Sequence, residues 1–133
     1  MNKYENGGAK KKIRSFTDLD AYKEAHKLVL MTYKATKEFP PEEKYSLADQ
    51  MRRAAVSITS NIAEGFSRST TKDKYQFYTM SQGSLSELQS QLLIARDLKY
   101  LIPQTFNQIA QQSVIVGKLL SGLKRIRYRN EKT

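Results

Sequence analysis

The sequence predicts an all-α fold, an antiparallel up-and-down four-helix bundle. Three observations favour it. Apolar residues recur every three or four positions in four successive segments, turn residues separate these segments, and β-branched runs are short. With 133 residues, the chain is long enough for one domain and short for two. We assign residues 16–128 to the bundle domain, residues 1–15 to a flexible basic arm and residues 129–133 to a basic tail.

The first helix is predicted to begin near Thr17 or Asp18, because either side chain can accept a hydrogen bond from an exposed N–H group. It should run to about Glu38, since the following Phe39 precedes two prolines. Proline disfavours helical geometry in the residue before it and lacks an N–H donor. The expected core positions of this helix are Tyr22, Ala25, Val29, Tyr33 and Thr36.

The second helix is predicted to start within residues 42–46, where acidic side chains suit the positive end of the helix dipole. It should reach Gly65 or Phe66, because glycine often ends a helix. The expected core stripe is Leu47, Met51, Ala54, Ile58 and Ile62. A second stripe is polar and carries both signs of charge, so it needs partners on another element. Its members are Arg53, Ser57, Asn61, Glu64 and Arg68.

The third helix is predicted to open within residues 69–71, where Thr70 and Asp73 have a spacing similar to that of a capping box. It should be the longest, at about 28 residues or roughly 42 Å. Gly83 lies in its middle and predicts a close contact, because an unpacked glycine there costs about 1 kcal/mol relative to alanine. The expected core stripe is Tyr75, Tyr78, Gln82, Leu85, Leu88, Leu92 and Ala95.

The fourth helix is predicted to begin at Pro103 and to run toward Tyr128, because proline suits the first turn of a helix. Its expected core stripe is Phe106, Ile109, Ser113, Val116, Leu120 and Leu123. Further apolar residues lie outside that stripe, namely Val114, Ile115, Leu119 and Ile126. A second apolar face on a helix favours self-association, since monomers seldom display large apolar surfaces.

The net charge of +10 is concentrated at the two ends of the chain. Residues 1–14 carry five basic residues and one acidic, and residues 101–133 carry six basic and one acidic. Such ends attract RNA or DNA, because neutralising phosphates releases counterions. Basic termini that only keep a protein in solution are an equally favoured alternative.

Several classes of site are excluded or disfavoured by residue content. The chain has no cysteine, so disulfides, thiolate catalysis and cysteine-based zinc sites are excluded. His26 is its single histidine, which argues against di-iron sites and histidine-dependent ribonucleases. The first residues are polar and no stretch approaches the roughly 20 apolar residues of a membrane span. We therefore expect a cytoplasmic, non-enzymatic protein without metal, cofactor or membrane association.

Two motifs on two predicted helices resemble a known family. They read QMRRAA at residues 50–55 continuing as SITSNIAEG at residues 57–65, and GSLSEL at residues 83–88. In order and spacing they resemble the four-helix bundle proteins named for the intervening sequences of bacterial 23S ribosomal RNA genes. That family includes relatives of the accessory variability determinant of diversity-generating retroelements. The resemblance covers residues 16–123.

The resemblance implies a ring-shaped homopentamer with a basic surface. In the retroelement branch such rings bind nucleic acid and a reverse transcriptase, whereas many other members have no established biochemical role. Two functions therefore stay open for this chain. The first is a nucleic-acid-binding homo-oligomer that is accessory to a reverse transcriptase or another nucleic-acid enzyme. The second is a protein-interaction scaffold without nucleic-acid binding.

The candidate nucleic-acid contacts are basic residues that can reach phosphates. They are Lys10, Lys11, Lys12, Arg14, Arg52, Arg68, Lys118, Lys124, Arg125, Arg127 and Arg129. The polar stripes of the second and third helices are instead expected to satisfy one another as a structural network. That network comprises Arg53, Ser57, Asn61, Glu64, Ser84, Glu87 and Gln91. For Arg53, an ion pair with Glu64 or Glu87, inside one subunit or between subunits, is favoured over phosphate binding.

Overall fold

The computed structural model describes residues 12–132, with side chains as far as residue 125. Four α-helices form the bundle, and no strand occurs in the described part of the chain. They are α1 (Asp20–Thr36), α2 (Leu47–Ser67), α3 (Thr71–Asp97) and α4 (Pro103–Lys132). Short 3₁₀ turns at Phe16–Asp18 and Pro41–Glu43 precede α1 and α2. The prediction of an all-α four-helix fold is confirmed.

The start of the bundle is capped one turn earlier than predicted. Ser15, rather than Thr17 or Asp18, is the N-cap of the first 3₁₀ turn, and its Oγ accepts the Thr17 N–H at 3.2 Å. The Asp18 carboxylate accepts the Ser15 N–H at 3.0 Å, which completes a capping box. The chain then turns at Leu19 before α1 begins.

The predicted core stripe of α1 is confirmed in part. Ala25 and Thr36 are buried as predicted, and Tyr22 and Val29 are partly buried against the core. Tyr33 is 39% exposed and does not belong to the core, whereas Ala21, Leu28 and Thr32 are buried in addition. The Thr32 hydroxyl is satisfied by donating to the Leu28 carbonyl oxygen at 2.8 Å.

The prolines stop α1 as predicted, but α2 begins later than residues 42–46. Pro41 opens a 3₁₀ turn instead of the helix, so that α2 starts at Leu47. Phe39, which precedes the prolines, is buried and its ring centroid lies 5.3 Å from that of Tyr100. The connection is therefore anchored to the α3–α4 loop.

The α3 stripe is confirmed for five positions and wrong for two. Tyr78 and the leucines are buried with Ala95, and Thr70 caps the helix by accepting the Asp73 N–H at 3.1 Å. Tyr75 is 40% exposed and Gln82 is half-buried, so neither belongs to the core. Ser81 and Gln91 are buried in addition.

The close helix contact predicted at Gly83 occurs at Gly65 instead. A Cβ added at Gly83 would meet no atom within 4 Å, whereas one at Gly65 would lie 2.7 Å from the Tyr78 ring. Gly65 also does not end α2, which continues to Ser67. This glycine therefore lets α2 and α3 approach each other.

The fourth helix begins at Pro103 as predicted and continues to Lys132. Ile109, Ser113, Val116 and Leu120 are buried, in agreement with the predicted stripe. The additional apolar residues whose side chains are described differ in exposure. Val114 is 50% exposed, Ile115 is half-buried and Leu119 packs against the core, while the Ile126 side chain lies outside the described side chains.

Membrane insertion finds no support in the described helices. None of them combines the length and the hydropathy that crossing a bilayer requires.

Candidate nucleic-acid interface

A groove between α3 and α4 centres on Gln82. Its amide nitrogen donates to the Ser121 hydroxyl at 3.1 Å, and its amide oxygen accepts from the Lys124 ammonium at 2.8 Å. One glutamine thus bonds two residues of α4 that are one turn apart. The bonds keep Lys124 beside the groove although its side chain is long and flexible.

The Lys124 ammonium also lies over the ring of Tyr75, 4.6 Å from its centroid. Tyr75, Gln82, Ser121, Lys124 and Arg125 together line a recess of about 360 Å³. A partly exposed aromatic ring beside a cation is a surface on which a nucleobase can stack. The recess therefore offers a stacking group and a phosphate-binding group side by side.

The groove continues along α3 and α4 as a second recess of about 610 Å³. Gln89 crosses it by donating to the Ser113 hydroxyl at 3.0 Å. Lys118 and Arg125 are exposed at its edge. We call the two recesses together the α3/α4 groove. Its lining residues are Tyr75, Gln82, Leu85, Ser86, Gln89, Ser113, Val114, Gly117, Lys118, Ser121, Lys124 and Arg125.

The charge in the α3/α4 groove has one sign. Its lining includes three cations, Lys118, Lys124 and Arg125, and no carboxylate. Within residues 12–125, the salt bridges join other residues. The three cations are thus available to an anion from outside, and their potentials add.

The other predicted nucleic-acid contacts lie in different places. Lys12 and Arg14 are exposed ahead of α1. Arg52 binds α1, with its Nε donating to the Thr36 hydroxyl at 2.8 Å. Arg68 pairs with Glu64 at 2.9 Å. The remaining candidates, Lys10, Lys11 and the side chains of Arg127 and Arg129, lie outside the described part of the structure.

Part of the predicted structural network joins α2 to α3. The Ser57 and Ser84 hydroxyls are 2.8 Å apart, and the Asn61 amide nitrogen donates to the Ser57 hydroxyl at 3.1 Å. Ser81 extends this contact by donating to the Ile58 carbonyl oxygen at 2.8 Å. These hydroxyl bonds fix how α2 lies against α3.

The charged members of that network pair within their own helices instead. Within one chain, Arg53 pairs with Asp49 at 2.9 Å, one turn earlier, and not with Glu64 or Glu87. Its pairing with either glutamate between subunits stays a prediction. Glu87 accepts a long 3.4 Å bond from the Gln91 amide nitrogen on its own helix. Ion pairs four residues apart on one helix need no second helix to form.

Residues with metal-binding chemistry do not cluster in the described part of the chain. No group of three or more His, Asp or Glu side chains there could hold a metal ion. His26 instead stacks against Tyr22, with ring centroids 6.0 Å apart.

Four residues that line the groove were not predicted from the sequence, namely Gln82, Gln89, Ser86 and Ser121. Gln82 was assigned to the core because it falls on the apolar period of α3. Gln89 follows seven residues later on the same side of α3. Two glutamines at this spacing could have indicated polar side chains between two helices. The partner of Gln82 could not be identified, because Ser121 is 39 positions away in the chain.

Comparison with known proteins identifies the family. The family model described as 23S rRNA-intervening sequence protein matches residues 17–122. The chain belongs to this family. Membership confirms the resemblance inferred from the motifs at residues 50–65 and 83–88.

The fold also occurs in solved structures. Among them is a protein of unknown function from the S23 ribosomal protein family of Bacteroides thetaiotaomicron, with 18% sequence identity and a TM-score of 0.73. The similarity covers 79% of this chain and 95% of that chain. No curated protein matches the chain significantly. At this identity the likeness establishes the bundle fold and leaves function to be argued from the groove.

Proposed function

We propose that this member of the 23S rRNA-intervening sequence protein family is a non-enzymatic, homo-oligomeric protein that binds RNA or DNA in the α3/α4 groove. The observation that carries the proposal is the joint position of Lys118, Lys124 and Arg125 in a groove lined by no carboxylate. Phosphate contacts supply most of the affinity of sequence-independent nucleic-acid binding. Three cations along an open groove are suited to a phosphate backbone.

The neutral lining supports the same ligand. Gln89 and Ser86 provide amide and hydroxyl groups that hydrogen-bond sugars and phosphates. Tyr75 provides a ring for stacking without sequence preference. The groove is therefore proposed to bind single-stranded segments through backbone and stacking contacts.

The four helices are proposed to run antiparallel in an up-and-down arrangement. Along α3 and α4 the contacts run in opposite directions, because Gln82 bonds to Lys124 whereas the later Gln89 bonds to the earlier Ser113. The same holds for α2 and α3, where Ser57 bonds to Ser84 and the later Gly65 lies against the earlier Tyr78.

Homo-oligomerisation is part of the proposal, with a pentameric ring as the assembly that the family resemblance implies. Exposed apolar side chains on α3, including Met80, Leu93 and Ile94, favour contact with another chain. Several copies of the groove in one particle would bind a long polyanion more tightly than one copy. An accessory role beside a reverse transcriptase, or another nucleic-acid enzyme, rests on the same resemblance.

The test is fluorescence anisotropy with single- and double-stranded RNA and DNA from about 50 mM salt upward, where electrostatic binding is strong. The triple variant Lys118→Gln, Lys124→Gln, Arg125→Gln should lose affinity about 100-fold and show a shallower salt dependence. The matched control replaces Lys23, Lys34 and Arg53 with glutamine. These three cations are exposed, carry the same total charge and lie on α1 and α2.

Two outcomes would reject the proposal: no detectable binding by the wild-type protein at about 50 mM salt, or equal losses in both triple variants. The first would favour the alternative of a protein-interaction scaffold. Light scattering of both variants at equal concentration controls for assembly, since a change of particle size would alter affinity through the number of grooves.

A further inference from the structure

A second cationic pocket lies where α1 ends and α2 begins. It encloses about 260 Å³ and shares no lining residue with the α3/α4 groove. We call it the Arg52 pocket. It is lined by Thr36, Lys37, Phe39, Pro40, Pro41, Lys44, Ala48 and Arg52. Three segments surround it, namely the last turn of α1, the proline turn and the first turns of α2.

Arg52 is held in a fixed orientation in this pocket. Its Nε donates to the Thr36 hydroxyl at 2.8 Å, and that hydroxyl donates to the Thr32 carbonyl oxygen at 2.8 Å. Its guanidinium carbon lies 4.9 Å from the centroid of the Tyr33 ring. Only the Nε edge is used by these hydrogen bonds, and no described residue bonds to the two terminal nitrogens. A positioned guanidinium with its fork unoccupied is suited to bidentate binding of a phosphate.

Lys37 and Lys44 bring the number of cations lining the pocket to three, and no carboxylate lines it. Two nearby carboxylates are engaged elsewhere. Asp49 pairs with Arg53 at 2.9 Å, and Glu43 accepts the Tyr100 hydroxyl at 2.8 Å. That hydrogen bond raises the pKa of the Tyr100 phenol above its ordinary value, with desolvation and the charges of the neighbouring acids adding to the shift. Glu43 therefore faces Tyr100 and does not line the Arg52 pocket.

We propose that the Arg52 pocket binds a phosphomonoester. Three cations match the two negative charges of a terminal phosphate better than the single charge of a backbone diester. The volume accommodates a phosphate and a few further atoms, at about 30 Å³ for each water-sized group. Pro40 and Pro41 line the pocket beside the cations and provide an apolar surface for the group that carries the phosphate.

This assignment is independent of the α3/α4 groove. The two sites lie against different helix pairs. An experiment can therefore reject nucleic-acid binding in the groove without rejecting phosphomonoester binding by Arg52, and the reverse. The phosphate can belong to a free nucleotide or to the 5′ end of a polynucleotide, since both present the same group.

The experiment follows the backbone amide and Arg Nε–Hε signals of the full chain by NMR, so that binding to variants without Arg52 is read from the amides around the pocket. Methyl phosphate is titrated at constant ionic strength, with dimethyl phosphate as the diester control and sodium chloride as the salt control. We expect methyl phosphate to shift the Arg52 signal saturably and dimethyl phosphate to bind at least about tenfold more weakly. Arg52→Lys keeps the charge and removes the fork, so it should weaken binding about tenfold, whereas the neighbouring Arg53→Lys should not.

Equal shifts with chloride, equal binding of the diester, or equal affinity of Arg52→Lys and wild type would each overturn the proposal. Because Arg52 also contacts α1, a second variant replaces Lys37 and Lys44 with glutamine. Both lysines are exposed, and their removal should weaken methyl phosphate binding without altering the fold. Parallel titrations with adenosine monophosphate and with 5′-phosphorylated and 5′-hydroxyl trinucleotides distinguish a free nucleotide from a polynucleotide end.

Discussion

The two sides of α3 use polar residues in opposite ways. Toward α2, serine hydroxyls form short bonds across the helix contact, and Gly65 allows the Tyr78 ring to lie against the α2 backbone. Toward α4, longer glutamine side chains bridge the helices and leave the α3/α4 groove open. Small polar side chains thus bring helices together, whereas long ones hold them apart with room for a ligand. We therefore propose that the α2 side serves stability and the α4 side serves binding.

The largest effect on stability is expected at the tight α2 contact. Gly65→Ala should lower the free energy of unfolding by about 1–3 kcal/mol in urea titrations, because the buried Tyr78 ring has to move. Gly83→Ala is the control on α3. It should raise the free energy by about 1 kcal/mol, since alanine favours helix and meets nothing there. Equal effects at the two glycines would contradict the comparison.

A smaller effect is expected for the buried hydroxyl of Ser81. Ser81→Ala removes its bond to the Ile58 carbonyl oxygen and should cost about 1 kcal/mol of unfolding free energy. Ser121→Ala, on the α4 side, should change it by less than about 0.5 kcal/mol because its hydroxyl is half-buried. Similar losses in urea titrations would mean that both sides of α3 stabilise the bundle alike.

The bridging glutamine should affect binding more than stability. Gln82→Ala removes the bond that holds Lys124 beside the groove, so RNA affinity measured by anisotropy should fall about threefold. Gln50→Ala changes the same residue type at an exposed position on α2 and should leave affinity unchanged. A loss of unfolding free energy above about 1 kcal/mol in Gln82→Ala would assign this residue to the structural side.

The smallest effects are expected for the exposed ion pairs of α2. Arg53→Gln and Arg68→Gln should each change the free energy of unfolding by less than about 1 kcal/mol, because solvent screens both pairs. Neither variant should alter RNA affinity by more than about twofold. A marked loss of affinity in Arg68→Gln would extend the nucleic-acid interface from α4 to the end of α2.

The helices could be predicted from the sequence because their signals are local. Apolar periodicity, the prolines and the Thr70 cap each act within a few residues. The α1 stripe was predicted only in part, because Ala21 and Thr32 are packed positions with small side chains, whereas Tyr33 lies on the outside. Which glycine is packed depends on another helix, and no local rule distinguishes Gly65 from Gly83.

The candidate interface was predicted only in part, for the same reason. The cations of α4 are visible as a run of charge, so Lys118, Lys124 and Arg125 could be named from the sequence alone. The groove that brings these cations together depends on hydrogen bonds from Gln82 and Gln89 to residues of α4. The spacing of residues along one helix does not show which residues of another helix they contact.

The contact between Gly65 and Tyr78 limits which pairs of residues can occupy positions 65 and 78 together. A side chain at position 65 and a ring at position 78 would occupy the same space. A sequence that acquires a larger residue at 65 keeps this backbone only if position 78 becomes smaller. We therefore expect these two positions to change together during evolution, and a library randomised at both to return viable pairs rather than viable single replacements.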